Sequence, residues 1–248
     1  MILPKKSHIR YPPTILRPKQ VVIFNALRYS IDICDISFRR LIKKLSSQAE
    51  TTKVESLDFP EIFSDVWSII NNAQMFGKII RKEFAINKNE PNLSEITKAI
   101  DFRNSNQHFE ERISQVLSQK DIPIYGFLSW LKRYPVSNEF VFSTIYSGTF
   151  TNKKMINMPV TNKRYIELNE IIQEIEFTNV IWEKDKLGKW CFNEQKISIS
   201  KLVSDLKIWV DHFDNQINKQ IENIEIPEKH ISDLIIQMAG HIESQVNE

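Results

Sequence analysis

A mainly helical antiparallel bundle, followed by a small antiparallel sheet with C-terminal helices, is the α+β fold that three features of this sequence predict. Apolar residues recur at steps of three and four through most of the first 120 positions, which is the period of amphipathic helices. After Lys120 the texture shifts to segments rich in Phe, Val, Ile, Tyr and Thr, the residues that favour strands. Helical spacing then returns from Ser200. Residues 1–134 are expected to form the bundle with a basic N-terminal arm, and residues 135–248 the sheet and the last helices.

In chain order, residues 1–19 carry four prolines among several basic side chains, which favours an extended arm over a helix. From Val21 to about Ser46, the residues Ile23, Leu27, Ile31, Cys34, Phe38, Leu41 and Leu45 draw one continuous helical stripe. Ile33, Ile36 and Ile42 widen it, so this helix is expected to meet neighbours on two sides. Its other face holds Arg28, Arg39, Arg40, Lys43 and Lys44. Ser46 to Leu57 is polar and reads as a loop. Asp58, Pro60 and Glu61 then give a helix start. Ile62, Val66, Ile69, Ala73, Phe76 and Ile80 continue the pattern to about Phe84, and Gly77 allows close packing. The loop 87–92, with Pro91, leads into a third helix from Leu93 to Leu117. Loops of about ten residues between long helices favour antiparallel neighbours.

Beyond Lys120, Pro123 to Tyr134 is expected to be a short aromatic helix that closes the bundle. Glu139 to Thr151 reads as a strand, with Lys154 to Thr161 returning beside it. Val180 to Asp185 and Lys189 to Glu194, on either side of Lys186, Leu187 and Gly188, form a hairpin on which Trp182 and Trp190 pair. Leu202, Val203, Leu206, Trp209, Val210, Phe213 and Ile217 trace the next helix. Past Pro227, Ile231 to Ile242 begins a last one.

Composition narrows the chemistry. Five glycines and no GxGxxG or GxxxxGK[ST] pattern leave out the common phosphate loops. Cys34 and Cys191 have no metal or redox spacing, and Cys34 on an apolar face reads as a buried, inert thiol. His212, His230 and His241 match no zinc pattern, so no metal or cofactor is expected. No apolar run is long enough to span a membrane and no signal peptide is visible, so a cytoplasmic protein without membrane contact is expected. Net charge is only +2, yet residues 1–53 hold eleven Lys and Arg against three Asp and Glu, and residues 205–248 hold three against nine. Such polarity suits a polyanion footprint or, more simply, a basic start packed on an acidic end. The second explanation is favoured. Of the five tryptophans, four sit in apolar patterns and read as core residues before base-stacking ones.

The third helix carries the sharpest motif. With each residue about 100° from the last, Ala99, Phe102, Phe109, Ile113 and Val116 share one stripe with polar Asn106 set into it. Arg103 lies at one edge, and Asn104 and His108 lie toward the other side. Arg103 and His108 are separated by about 140° around the axis, so they diverge on one helix. They converge only if a second copy crosses near a two-fold axis.

The run RNSNQH, late in a helical segment and followed by FEERI, resembles the R-x4-6-H motif of the HEPN superfamily. Asn104, directly after the Arg, is the commonest polar choice there. The resemblance implies a bundle of four or five helices that dimerises. It also implies a metal-independent ribonuclease with a composite site built from Arg103, Asn104 and His108. His108 would be general base or acid, since its pKa lies near neutrality, and Arg103 would clamp phosphate. Asn104 would orient one of them. Such an enzyme would act as a toxin or in anti-phage defence, with an antitoxin or defence-system protein as partner. The alternative it implies is a non-catalytic HEPN-like module that binds nucleic acid or a protein. A helical protein with no such relation would instead show Arg103 and His108 buried and salt-bridged, Arg103 with Asp101, Glu110 or Glu111.

Overall fold

This computed structural model describes residues 1–48, 59–107, 110, 113, 123, 125–134, 139–148, 172–224, 233 and 237, and among them lie four helices and a four-stranded antiparallel sheet. The elements are α1 (Pro18–Gln48), α2 (Phe59–Glu83), α3 (Ser94–Gln107), β1 (Phe127–Tyr134), β2 (Glu139–Tyr146), β3 (Ile172–Lys184), β4 (Trp190–Ser198) and α4 (Ile199–Ile221). The chain is thus mixed α+β, with helix in the majority among the described residues.

The stripes foreseen for α1 and α2 are the buried ones. Leu27, Ile31, Cys34, Leu41 and Leu45 on α1, and Val66, Ile69, Ala73, Phe76 and Ile80 on α2, are wholly inaccessible. The two helices run antiparallel, because Lys44 late in α1 reaches Glu61 early in α2 at 2.6 Å and Lys19 reaches Glu83 at 2.9 Å. Ser37 and Ser68 hydrogen-bond midway, at 3.0 Å. A Cβ on Gly77 would come within 2.5 Å of Ile96, so this glycine lets α2 and α3 approach closely, as expected. Of the residues that widen the α1 stripe, Ile42 packs against the core, whereas Ile33 and Ile36 stay exposed.

The basic face of α1 is largely neutralised. Arg39 pairs with Asp35 at 3.0 Å, Arg40 with Asp65, and Lys44 with both Asp65 and Glu61. Asp65 is buried on α2, and its two cationic partners compensate the cost of placing a carboxylate there.

The N-terminal segment is not a free arm. Ile2, Leu3 and Ile9 are buried in the core. Asp35 accepts from the Ile2 amide at 2.8 Å, and Asp214 of α4 accepts from the Ser7 hydroxyl and the His8 amide, both at 2.9 Å. Farther along, Asp233 accepts from Arg28 and from the Tyr29 hydroxyl. Asp214 and Asp233 of the acidic C-terminal stretch thus pack on the basic start.

Hydrogen bonds from Arg28 and then Tyr29 hold the Asp233 carboxyl below its ordinary value of 3.8. A depressed folded-state pKa adds stability above the unfolded value and loses it as pH falls through the folded one. Asp233→Asn is therefore expected to lower the urea midpoint at pH 7, and the gap from wild type should shrink by pH 3. An unchanged gap at pH 3 would rule out this contribution.

The sheet has the order β2-β1-β3-β4, antiparallel throughout. The expected short helix at Pro123 to Tyr134 is in fact β1, an interior strand paired on both sides, Phe127 with Tyr146 of β2 and with Thr178 of β3. β1 lies before position 135 and both its partners lie after it. One core cluster runs from Leu27 and Phe76 through Phe102 to Phe177 and Leu206. The β3–β4 hairpin turns where expected, with Gly188 at φ 77° and the Asp185 carboxylate accepting from the Leu187 and Lys189 amides. Its register sets Trp182 opposite Phe192 and Lys184 opposite Trp190, so the two tryptophans are diagonal, not paired. The expected strand 154–161 and helix 231–242 lie outside the described residues, Asp233 and Gln237 apart.

α4 starts at Ser198, whose hydroxyl accepts from the Lys201 amide at 3.1 Å. Leu202, Leu206, Trp209, Val210 and Phe213 bury the face that was foreseen. Glu95 in the first turn of α3 accepts from the Ser198 amide at 3.0 Å, and Ser105 near its end donates to the Val180 carbonyl at 3.1 Å. These two bonds seat α3 against β3 and β4 along its length.

Candidate functional site

α3 begins after Asn92, which takes a left-handed φ of 61°. Its inward face carries Ile96, Ala99 and Phe102, all at most 1% exposed, with Ser105 continuing that face. Ala99 and Phe102 belong to the stripe that the spacing indicated, and its members Phe109 and Val116 lie outside the described residues. Asn104 lies opposite and is exposed, and Arg103 lies on the flank, half-buried. The Arg103 guanidinium donates to the Gln107 side-chain oxygen one turn on. It pairs with no acid among the described residues, neither Asp101 nor Glu110. His108 is outside the described residues, so the structure brings together Arg103 and Asn104 alone. Ile113, expected on the buried stripe, is 46% exposed.

Asn106, three positions after Arg103 on α3, is half-buried. There it borders a cleft of about 980 Å³ between the first half of α2, the end of α3 and the β1–β2 end of the sheet. Phe63, Trp67, Asn71 and Asn72 line the α2 side, and Tyr125 and Ser147 the sheet side. No Lys, Arg, His, Asp or Glu lines it among the described residues. Trp67 is only 7% exposed, and its ring meets Phe177 edge-on at 5.3 Å. The indole nitrogen of Trp67 is buried and has no hydrogen-bond partner. The Asn72 amide nitrogen donates to the Ser68 carbonyl at 2.8 Å. Ser147 is committed to the turn, accepting from the Tyr125 amide and donating to the Gly126 carbonyl, both at 2.9 Å.

In the sequence Asn106 is a polar residue within an apolar stripe, with no role evident from spacing. Asn71 and Asn72 were missed. The available signal was an adjacent pair of amides, Asn71 and Asn72, between Ile70 and Ala73.

The other candidates have structural uses. Cys34 is wholly buried, its thiol pointing to the Ile69 carbonyl at 3.4 Å, and burial pushes its pKa up. That is the inert state expected. His8 bonds Asn218 at 2.7 Å, and His212 packs edge-on to Trp209 at 5.4 Å. Trp67, Trp130 and Trp209 are buried, and the Trp209 indole donates to the Asn92 carbonyl at 3.2 Å. Among the described residues no three His, Cys, Asp or Glu side chains gather where they could share a metal ion, and no helix is long and apolar enough to cross a membrane. A smaller cavity of about 510 Å³ between the N-terminal segment and α4 is mostly apolar, lined by Leu16, Phe24, Phe84 and Phe213 among others.

Neither a family model, nor a curated protein, nor a solved structure matches this chain.

Proposed function

We propose that this protein is a metal-independent, HEPN-like ribonuclease that cleaves RNA at a site composed from two copies of the chain. The observation that carries this reading is the state of the motif residues. Among the described residues Arg103, on the flank of α3, is bonded only to a neutral side chain, and Asn104 stands in solvent. An arginine employed structurally would be spent on a carboxylate, as Arg10, Arg28 and Arg40 are here. A guanidinium held by an amide keeps its full charge and most of its donors for a phosphate.

In the proposed reaction, His108 takes the proton of the RNA 2′-hydroxyl. The 2′-oxygen then bonds to phosphorus while the bond from phosphorus to the 5′-oxygen breaks. His108 of the partner subunit gives a proton to that leaving oxygen. Arg103 holds the negative charge that develops on the phosphoryl oxygens, and Asn104 orients the reacting groups. The products are a 2′,3′-cyclic phosphate and a 5′-hydroxyl. A role as a toxin or in anti-phage defence, with a neutralising or cooperating partner protein, belongs to the same proposal.

A second reading, a non-catalytic HEPN-like module that binds nucleic acid or a protein, is favoured by the cleft beside Asn106, since binding there needs no histidine. Incubating purified protein with RNA in EDTA separates the two. Cleavage with a cyclic-phosphate end is expected, and Arg103→Ala and His108→Ala should each lower its rate about 10²- to 10³-fold. Undiminished cleavage in His108→Ala would sink the nuclease mechanism. Binding without cleavage, unaffected by His108→Ala, would establish the module.

A further inference from the structure

The cleft bordered by Asn106 has a composition that selects among ligands. Its volume of about 980 Å³ is at the upper end of the range for small-molecule sites, about 300–1,000 Å³. None of its described lining residues carries a charged side chain, so none of them is suited to hold a phosphate or carboxylate inside. A purely aliphatic guest would also fit poorly, because it would strip water from Asn71, Asn106 and Ser64 without replacing their hydrogen bonds. Carboxamides donate and accept at once. Together with the rings of Phe63 and Trp67, they match a flat, uncharged heteroaromatic ring with donors and acceptors on its edge.

We infer that this cleft binds a nucleobase, that of one unpaired nucleotide of an RNA. The identification of RNA as the source rests on the function proposed above, whereas the base-binding chemistry rests on the cleft alone. Single-stranded RNA is recognised in this manner, by bases turned out onto aromatic rings and read along their edges. The placement of Arg103 fits. It precedes Asn106 by three positions on α3, and such residues are neighbours on a helix surface, their Cβ atoms about 5–6 Å apart. A base in the cleft therefore carries its phosphate toward Arg103, and one α3 turn supplies both base and phosphate contacts.

Indole N–H resonances in ¹⁵N-labelled protein test this, with Trp67→Phe assigning the Trp67 signal. Adenosine, guanosine, cytidine and uridine would be titrated separately, with ribose 5-phosphate as control. At least one nucleoside is expected to saturate and move the Trp67 signal, while ribose 5-phosphate leaves it in place. Asn71→Ala and Asn106→Ala should each weaken that binding about tenfold, the loss of roughly one well-made hydrogen bond. A nucleoside monophosphate should bind more tightly than its nucleoside, and Arg103→Ala should erase the difference. If no nucleoside moves the Trp67 signal, or if both asparagine variants bind unchanged, the cleft is not a base site. Failure there with Arg103-dependent RNA cleavage intact would overturn the cleft and leave the nuclease reading standing. Nucleoside binding in a protein that neither binds nor cuts RNA would do the reverse.

Discussion

Phe177→Ala is expected to cost about 3–5 kcal/mol of stability, the usual range for deleting a wholly buried phenyl ring. Phe177 has no exposed surface and lies on β3 where the helices meet the sheet. It touches Trp67 of α2 edge-on at 5.3 Å and Phe102 of α3 at 5.9 Å. Removing it opens a void that neither neighbour can fill alone, since both rings are held by their own helices. A loss of that size is a large share of the roughly 5–15 kcal/mol that a domain possesses. Denaturant unfolding would measure it. A cost below about 1 kcal/mol would mean that the three-ring contact does not join the layers. Trp67 lines the cleft, so the same variant should also loosen nucleoside binding before the protein unfolds.

Gly126→Ala should be nearly as damaging, by about 2–4 kcal/mol, because two independent costs fall on one methyl group. Gly126 has a φ of 87°, in the left-handed region that side chains with a Cβ rarely enter. Its missing Cβ would also lie 2.5 Å from the Thr178 carbonyl oxygen and 2.7 Å from the Phe177 ring. The oxygen belongs to the sheet backbone and cannot rotate away, so β1 must separate from β3 at Phe127. By contrast, Gly188 has a similar φ of 77° with nothing within 4 Å, and Gly188→Ala should cost only the backbone term. Comparing the two variants by thermal melting isolates the clash. Equal losses would show that it does not matter.

The helical half of this protein was legible because helices are local. Each turn of α1, α2 and α4 repeats its apolar residue within three or four positions, so the buried faces could be read before any partner was known. The exposure of Asn104, the flank position of Arg103 and the inert state of Cys34 follow from the same periodicity. Strand β1 was not legible. FLSWLKRY mixes apolar and basic residues without clean alternation, and it becomes a strand because β2 and β3 supply hydrogen bonds on both edges. Those partners come from positions 139–146 and 172–184, a distance over which propensity carries no information.

The N-terminal segment shows a similar limit. Its prolines did keep it from forming a regular helix, but whether it stays free depends on Asp35 and Asp214, which lie on two helices far apart in the chain. The cleft is the clearest case. Asn71, Asn106 and Trp67 are each unremarkable within their own helices. They border one cleft only because α2 packs on α3 and the sheet end carrying Tyr125 and Ser147 forms the remaining wall. Sequence by itself determined the helices, their buried faces and the presentation of Arg103 and Asn104, since these follow from backbone period. Only the tertiary structure decided the strand order, the docking of the N-terminal segment and the shape of the cleft, because each needs groups that no local pattern connects.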